Sequence, residues 1–195
     1  MARPNPHRPF VPSPEMVKRL PEITGNEING LGEKLPRRPD HVFWAPDPNE
    51  IAFGEVQKWF YMCQPDSTEM AAERAKRQAV FDAALPDMNP VALEKSPIEW
   101  TNSLDQFVGS GVCEMVGVTT LQSDWIFEKH STTFQKIIMV GVHHEYEEIK
   151  HAPDFRAGIE VVRQYGRAAA AAKKITGWLM EQGWDAEALT GPMAG

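Results

Sequence analysis

The sharpest candidate for chemistry in this sequence is Tyr165, which lies in a long amphipathic segment near the C-terminus. The pattern predicts that its hydroxyl lies on the apolar stripe of a helix. Such a tyrosine is either a core residue bonded to the backbone or a proton donor at the end of an apolar pocket. Donation near neutral pH needs a nearby cation, because the pKa of a free tyrosine is about 10. The sequence identifies no such cation, so both interpretations stay open.

A second group of polar residues follows a predicted strand and suggests a metal site. Adjacent histidines at a strand end point to opposite sides, however, and no two histidines have the i, i+4 helical spacing of zinc ligands. We therefore predict a solvated acidic turn and no metal ligands. The residues are His143, His144, Glu145, Glu147, Glu148 and His151.

Several other chemistries lack their sequence signals. No G-x-S-x-G nucleophile elbow is present, and no glycine-rich loop follows either predicted strand. The two cysteines, Cys63 and Cys113, are too few for an iron–sulfur cluster or a four-thiolate zinc site. The sequence thus favours neither nucleophilic hydrolysis nor nucleotide binding.

Charge and hydropathy restrict the partners and the location. A net charge of −7 with an isoelectric point near 5.4 argues against nucleic acid or an anionic membrane as the main partner. No apolar run is long enough to span a membrane, and no secretory signal is visible, so we expect a cytoplasmic protein. Homo-oligomerisation stays open.

The elements that must position Tyr165 are a strand, a polar loop and a helix. The apolar run Ile137–Val142 predicts a buried strand, and Val112–Leu121 predicts its neighbour. Between Phe155 and Trp184, one helical stripe is apolar and the charged side chains, Glu160 among them, are expected in solvent. Gly158 and Gly166 predict an interruption or a later start. The stripe comprises Phe155, Ile159, Val162, Tyr165, Ala169, Ala172, Ile175 and Leu179.

The N-terminal third is of a different kind, because it contains most of the 16 prolines. We predict a proline-rich extended arm over residues 1–65, with a short helix from Pro14 to Leu20 and with Phe43–Trp44 and Trp59–Tyr61 as aromatic anchors. Residues 66–195 are predicted to form an α+β domain. Its first helices are expected from the capping box Asp66–Glu69 to Leu85 and from Pro97 to Val108.

Taken together, several short motifs resemble the corrinoid-dependent reductive dehalogenases. The resemblance covers about half of the chain, from Pro97 to Gly195, and depends on the order and spacing of the motifs. The related epoxyqueuosine reductases share the architecture. The motifs are Met115–Thr119, Asp124–Phe127, Ile137–Val140, Tyr146 with Ile149–Lys150 and Ala152–Pro153, Gln164–Arg167, and Leu179 with Gly183–Trp184 and Ala186.

This resemblance implies an α/β sandwich, namely an incomplete nitroreductase-like domain that binds cobalamin over an apolar pocket. It also implies an organohalide substrate, two iron–sulfur clusters that supply electrons, and Tyr165 as the proton donor. It is closest to the cytoplasmic, catabolic members of the family. The residues that bind the corrinoid are not identified by it.

The sequence departs from the family pattern in two places. Pro192 follows Gly191 where the family has asparagine, and the ferredoxin-like cysteine runs and the basic partner of the tyrosine are missing. We therefore expect a truncated or split enzyme that is inactive without a separate ferredoxin-like part. The alternatives are a corrinoid-binding or carrier module, an epoxyqueuosine-reductase-like protein without dehalogenase activity, and a structural protein whose apolar surface binds a partner.

Overall fold

The computed structural model describes residues 11–22, 35, 37–63 and 67–190. The chain divides into two compact units. The first comprises residues up to 64 together with Phe127–Lys129, and the second comprises the remainder. The division along the chain falls next to residue 65, where the sequence predicts the end of the arm. Asp66, the first residue of the predicted capping box, lies outside the described residues.

The first unit contains two short helices. Helix α1, Pro14–Val17, begins at Pro14 as expected, because the Ser13 hydroxyl accepts a hydrogen bond from the Met16 N–H at 3.2 Å. It ends earlier than the predicted Leu20. Helix α2 is Gly54–Met62, and a 3-10 turn at Pro48–Glu50 precedes it. A Cβ on Gly54 would lie 1.5 Å from the Pro48 carbonyl oxygen, so only glycine fits there.

The aromatic side chains of this unit pack on one another. The Trp44 ring lies 5.1 Å from that of Phe60 and 5.7 Å from that of Tyr61, both edge-on. Nearby, the Gln57 side chain is buried and bonds both the N–H and the C=O of Ala45, at 3.1 and 3.0 Å. These contacts hold the irregular segment at Trp44 and Ala45 against α2.

The second unit is an α+β domain, as predicted. Its first helix is capped by Ser67, one residue after the N-cap position of the predicted box, and it ends at Asp82, three residues before the predicted Leu85. At the second helix, Ser96 forms a full capping box with Glu99. Its elements are α3 (Thr68–Asp82), α4 (Pro97–Gly109), β1 (Met115–Thr120), β2 (Lys136–Gly141), α5 (Tyr146–Ile149) and α6 (Phe155–Glu181).

The two strands form an antiparallel hairpin whose inner face covers the core. Val116 pairs with Val140 and Val118 with Ile138, which places these branched side chains on one face. Val116, Ile138 and Val140 pack on the core, whereas Val118 is 57% exposed. The buried core residues are Leu104 and Val108 of α4 and Ile175 of α6. Partly buried apolar side chains surround them: Phe107, Val112, Cys113, Val116, Ile138, Val140, Trp178 and Leu179.

Helix α6 runs without a break from Phe155 to Glu181, so the expected interruption at Gly158 and Gly166 is wrong. Both glycines face α3 instead. A Cβ on Gly158 would lie 3.5 Å from Met70, and one on Gly166 would lie 3.7 Å from Arg77. The later residue of α6 thus contacts the later residue of α3, so the two helices run in the same direction.

The C-terminus of α6 is closed by a glycine motif. Gly183 has φ +82°, the Trp184 N–H bonds the Leu179 C=O at 3.0 Å, and the Gly183 N–H bonds the Met180 C=O at 2.9 Å. A Cβ on Gly183 would lie 2.4 Å from the Val91 carbonyl oxygen. Glycine is therefore required both by the backbone angle and by the space.

The buried face of α6 differs from the predicted stripe at two positions. Tyr165, expected among the apolar residues, is 47% exposed, whereas Glu160, expected in solvent, is 0% exposed. Because α6 packs against α3 on one side and the core on another, its buried face is broader than one stripe. The polar turn after β2 also differs, since it ends in the short helix α5.

Within the described residues, no helix combines the length and apolar character needed to cross a membrane.

Candidate functional site

The site built around Tyr165 lies where α3 approaches α6. The Arg77 guanidinium of α3 stands over the Tyr165 ring, with its Cζ atom 5.4 Å from the ring centroid, and 4.9 Å from the centroid of Phe81. Arg77 and Phe81 are four residues apart, so both lie on the same face of α3. Gly166 has no side chain to separate the two helices here. The fold thus places a cation against the face of the tyrosine ring.

Arg77 has no counter-charge among the described residues. No carboxylate there forms an ion pair with it, and its Nε atom is buried without a hydrogen-bond acceptor. An unsatisfied buried donor is uncommon in folded proteins. Among the described residues, the two aromatic rings are therefore the groups that hold this guanidinium.

The neighbouring arginines of α6 are neutralised. Arg163 lies 2.8 Å from Glu160 and 3.6 Å from Glu73, while Arg167 forms an ion pair with Glu114. Arg77 therefore differs from the arginines that flank Tyr165 in sequence.

Glu160, which precedes Tyr165 by five residues in α6, is the centre of a buried polar network. Its carboxylate accepts hydrogen bonds from the Glu145 N–H at 2.7 Å, the Gln164 amide at 2.6 Å and Arg163 at 2.8 Å. Burial raises the pKa of Glu160, but these three donors together outweigh burial and hold that pKa below its ordinary value. The carboxylate is thus kept charged and fastens the loop after β2 to α6.

The network continues from α6 to the start of β1. The side-chain amide oxygen of Gln164 accepts a hydrogen bond from Arg167 at 2.8 Å, and Arg167 pairs with Glu114. Glu114 also accepts from the His143 N–H at 3.3 Å. The Arg167 hydrogen bond lowers the pKa of Glu114. Since His143 and Glu145 belong to the same loop, the chain of contacts closes into a ring that joins the loop, α6 and the entry to β1.

The histidines of the loop do not converge. His143 lies 3.7 Å from Glu114 and 3.7 Å from Glu145, whereas the nearest carboxylate to His144 is Glu160, at 3.9 Å. In the part of the chain that the structure describes, no three His, Cys, Asp or Glu side chains are grouped as metal ligands. The loop is largely exposed, as predicted, but its backbone is held by the buried network.

One cleft among the described residues can be compared with the size of a corrinoid. An open cleft of about 300 Å³ lies beside Phe81 and Lys173. A corrinoid has several times as many atoms as the ligands that fill pockets of about 300–1,000 Å³. This cleft is therefore too small to hold that group.

Sequence reasoning singled out Tyr165 but missed Arg77 and Glu160. For Arg77, its four-residue spacing from Phe81, which places both on one helical face, was a usable signal. For Glu160, the i, i+3 and i, i+4 spacing to Arg163 and Gln164 was a signal, although such spacing does not indicate burial.

Comparisons with family models, curated proteins and solved structures find no match to this chain.

Proposed function

We propose that this chain is part of a reductive-dehalogenase-like enzyme of the cytoplasmic, catabolic type, with a nitroreductase-like α/β fold and Tyr165 as proton donor. The observation that carries the proposal is the Arg77 guanidinium, 5.4 Å from the Tyr165 ring centroid. A tyrosine that gives up its proton becomes an anion, and a cation already in place stabilises that anion. The order of the sequence motifs supplies the reaction class.

The proposed reaction replaces the halide of an organohalide with hydrogen. Two electrons and one proton enter, the carbon–halogen bond breaks, a carbon–hydrogen bond forms, and halide leaves. The Tyr165 hydroxyl supplies the proton. The electrons come from iron–sulfur clusters in another part or subunit of ferredoxin type, because Cys63 and Cys113 cannot ligate a cluster.

In this family, cobalamin supplies the redox chemistry at the carbon–halogen bond. The cleft beside Phe81 and Lys173 is too small to hold it. The contribution that we propose for this chain is limited to the proton donor, its cation and the rigid helix that holds them. The ring of contacts around Glu160 keeps the Tyr165 turn of α6 fixed against the loop after β2.

The test uses the full chain with hydroxocobalamin under anaerobic conditions. We expect binding to change the visible absorption of the corrinoid. With titanium(III) citrate in place of the clusters, we expect halide release from a panel of organohalides. Tyr165→Phe should retain the absorption change and lose about 10²-fold or more of the halide release, which is the usual contribution of a positioned proton donor. Tyr146→Phe, at an exposed tyrosine outside the site, is the matched control.

The outcomes separate the alternatives. An unchanged corrinoid spectrum would contradict the proposal. Binding without halide release under any reductant would favour a corrinoid carrier module. Equal halide release by wild type and Tyr165→Phe would assign the proton to another group.

A further inference from the structure

Strand β1 has one edge that no strand covers among the described residues, because the sheet there consists of β1 and β2. The Leu121 N–H bonds the Gln135 C=O at 2.9 Å, so the odd-numbered residues of β1 bond to β2. Since hydrogen-bonded positions alternate along an antiparallel strand, the backbone N–H and C=O groups of Val116, Val118 and Thr120 point to the other edge. They can therefore pair with a further strand.

This edge lacks the devices that keep sheet edges from pairing. Five of the six residues of β1 are exposed, and the run from Met115 to Leu121 contains neither a charged residue nor a proline. Strand β2 differs, because it begins with Lys136 and only two of its six residues are exposed. A hairpin of two strands is marginally stable alone, and added strands stabilise it. The free edge of β1 is therefore the better template for association.

The exposed side chains of β1 are apolar surface that a partner strand would cover. Val118 lies on the face of the hairpin that covers the core, yet it is 57% exposed, whereas Val116 packs on the core. Met115, on the opposite face, is 73% exposed. Removing such side chains from water favours association.

The sequence of β1 is complementary to itself. When two copies run antiparallel with a two-fold axis at Val118, this residue lies opposite the partner's Val118, and Val116 lies opposite the partner's Thr120. On the other face, Met115 lies opposite the partner's Leu121. Each of these pairs brings apolar or uncharged groups together. We infer that β1 binds β1 of a second copy of this chain, which joins the two hairpins into one four-stranded sheet.

The charges next to β1 fit this register. Glu114 lies opposite the uncharged Gln122 of the second copy, and Glu114 is itself paired with Arg167. Moving the axis by one residue to Thr119 would place Glu114 opposite Asp124, and like charges in opposed positions are destabilising. The axis at Val118 therefore avoids a repulsion that the neighbouring register creates.

The dimer should be weak and should strengthen with salt. Two short strands bury less than the roughly 1,200–2,000 Å² of a stable interface. Each copy also carries a net charge of −7, and salt screens the repulsion between copies. We expect association in the micromolar range. Pairing of this kind requires neither corrinoid nor turnover, so it goes beyond the proposed function and can fail separately from it.

The first experiment is sedimentation velocity on the full chain over a series of concentrations, with amide hydrogen exchange at the lowest and the highest. We expect a monomer–dimer equilibrium, and slower exchange of the Val118 and Thr120 amides in the dimer, because both become hydrogen-bonded. A monomer at every concentration would assign the edge to another chain and overturn the pairing. Growth beyond the dimer, or a dimer in which both amides exchange as before, would also overturn it.

Disulfide cross-linking then tests the register, in a chain that carries Cys63→Ser and Cys113→Ala. Two residues that form a hydrogen-bonded antiparallel pair have Cα atoms about 5.5 Å apart, which a disulfide can bridge. Val118→Cys should therefore cross-link under mild oxidation. Thr120→Cys is the matched control, because its two copies would lie about 13 Å apart along the strands. Equally fast cross-linking at the two positions would overturn the register.

A charge on the axis should break the dimer. Val118→Lys places two ammonium groups opposite each other and should raise the dissociation constant by about tenfold or more. Met139→Lys is the matched control, because Met139 is 58% exposed in the same sheet but belongs to β2, and it should change the constant by less than about twofold. Circular dichroism checks that both variants fold, and the cross-linking test does not depend on them. Equal effects of the two lysines would overturn the assignment.

Discussion

The two halves of α6 are buried in different ways. The N-terminal half buries Glu160 and Gln164, which are joined by a hydrogen bond of 2.6 Å, in addition to Ala157 and Ile159. The C-terminal half buries Ala169, Ala171 and Ile175, with Thr176 as its buried polar residue, and Ile175 packs in the core cluster with α4. One continuous helix therefore passes from a region with a buried polar network to one whose burial is mostly apolar.

This difference implies different roles for the two halves of α6, one in the stability of the protein and the other in the position of the candidate site. Burial of apolar surface is non-directional and tolerates small shifts, whereas the Glu160 network holds only in one arrangement of donors and acceptors. The candidate site at Tyr165 lies in the half with the directional contacts. We expect the C-terminal half to account for more of the stability and the N-terminal half to fix the site.

The largest expected effect is in the apolar half. Ile175 is 3% exposed, so Ile175→Ala should lower the free energy of unfolding by about 2–5 kcal/mol through lost burial and a cavity. Urea unfolding followed by circular dichroism measures it. Ile98→Ala, at a 65% exposed isoleucine, is the control and should cost much less. Equal losses at the two positions would contradict the assignment of the core.

The next effect is in the polar half. Glu160→Ala leaves the Glu145 N–H and the Gln164 amide without their acceptor, which should cost about 1–3 kcal/mol. Glu181→Ala, at an exposed glutamate in the same helix, is the control. If both variants unfold at the same urea concentration as the wild type, the buried network does not stabilise the protein.

The pH dependence should reveal the charge of Glu160. Its folded-state pKa is below the ordinary 4.5, so its contribution is present above about pH 4.5 and is lost as the pH falls through the folded-state value. Glu160→Gln should therefore be less stable than wild type near neutral pH, with a difference that narrows in acid. Urea unfolding at a series of pH values measures this difference. Parallel stability curves would show that Glu160 is not held ionised.

The smallest expected effect is a gain. A Cβ at Gly166 would meet Arg77 at an ordinary contact distance of 3.7 Å, so Gly166→Ala should stabilise the protein by about 0.5–1 kcal/mol through helix propensity. At Gly177 a Cβ would lie 3.1 Å from the Pro86 ring, so Gly177→Ala should gain less or lose. Thermal unfolding compares the stability of the two variants. A larger gain for Gly177→Ala than for Gly166→Ala would show that α3 and α6 are closer at Gly166 than described.

Local signals in the sequence predicted most of the element starts. Helix α1 begins at Pro14 and α4 begins at Pro97, where the pattern places them. The strand at Lys136–Gly141 lies within one residue of the predicted run Ile137–Val142, but none of its residues is buried, so the prediction of a buried strand is wrong. The strand at Met115–Thr120 begins three residues later than the predicted Val112. These features depend on neighbours within a few residues, which is why sequence reasoning finds them.

The sequence by itself therefore determined the α+β class and the order of the longer elements of residues 66–195, but it did not predict helix α2 in the extended arm or helix α5 in the polar turn. Only the tertiary structure decided that Glu160 is buried and Tyr165 exposed, because the face of α6 that packs is set by α3 and α4, which are remote in sequence. It also decided which cation meets the tyrosine. Arg77 precedes Tyr165 by 88 residues, and a contact over that separation exists only once α3 and α6 have packed.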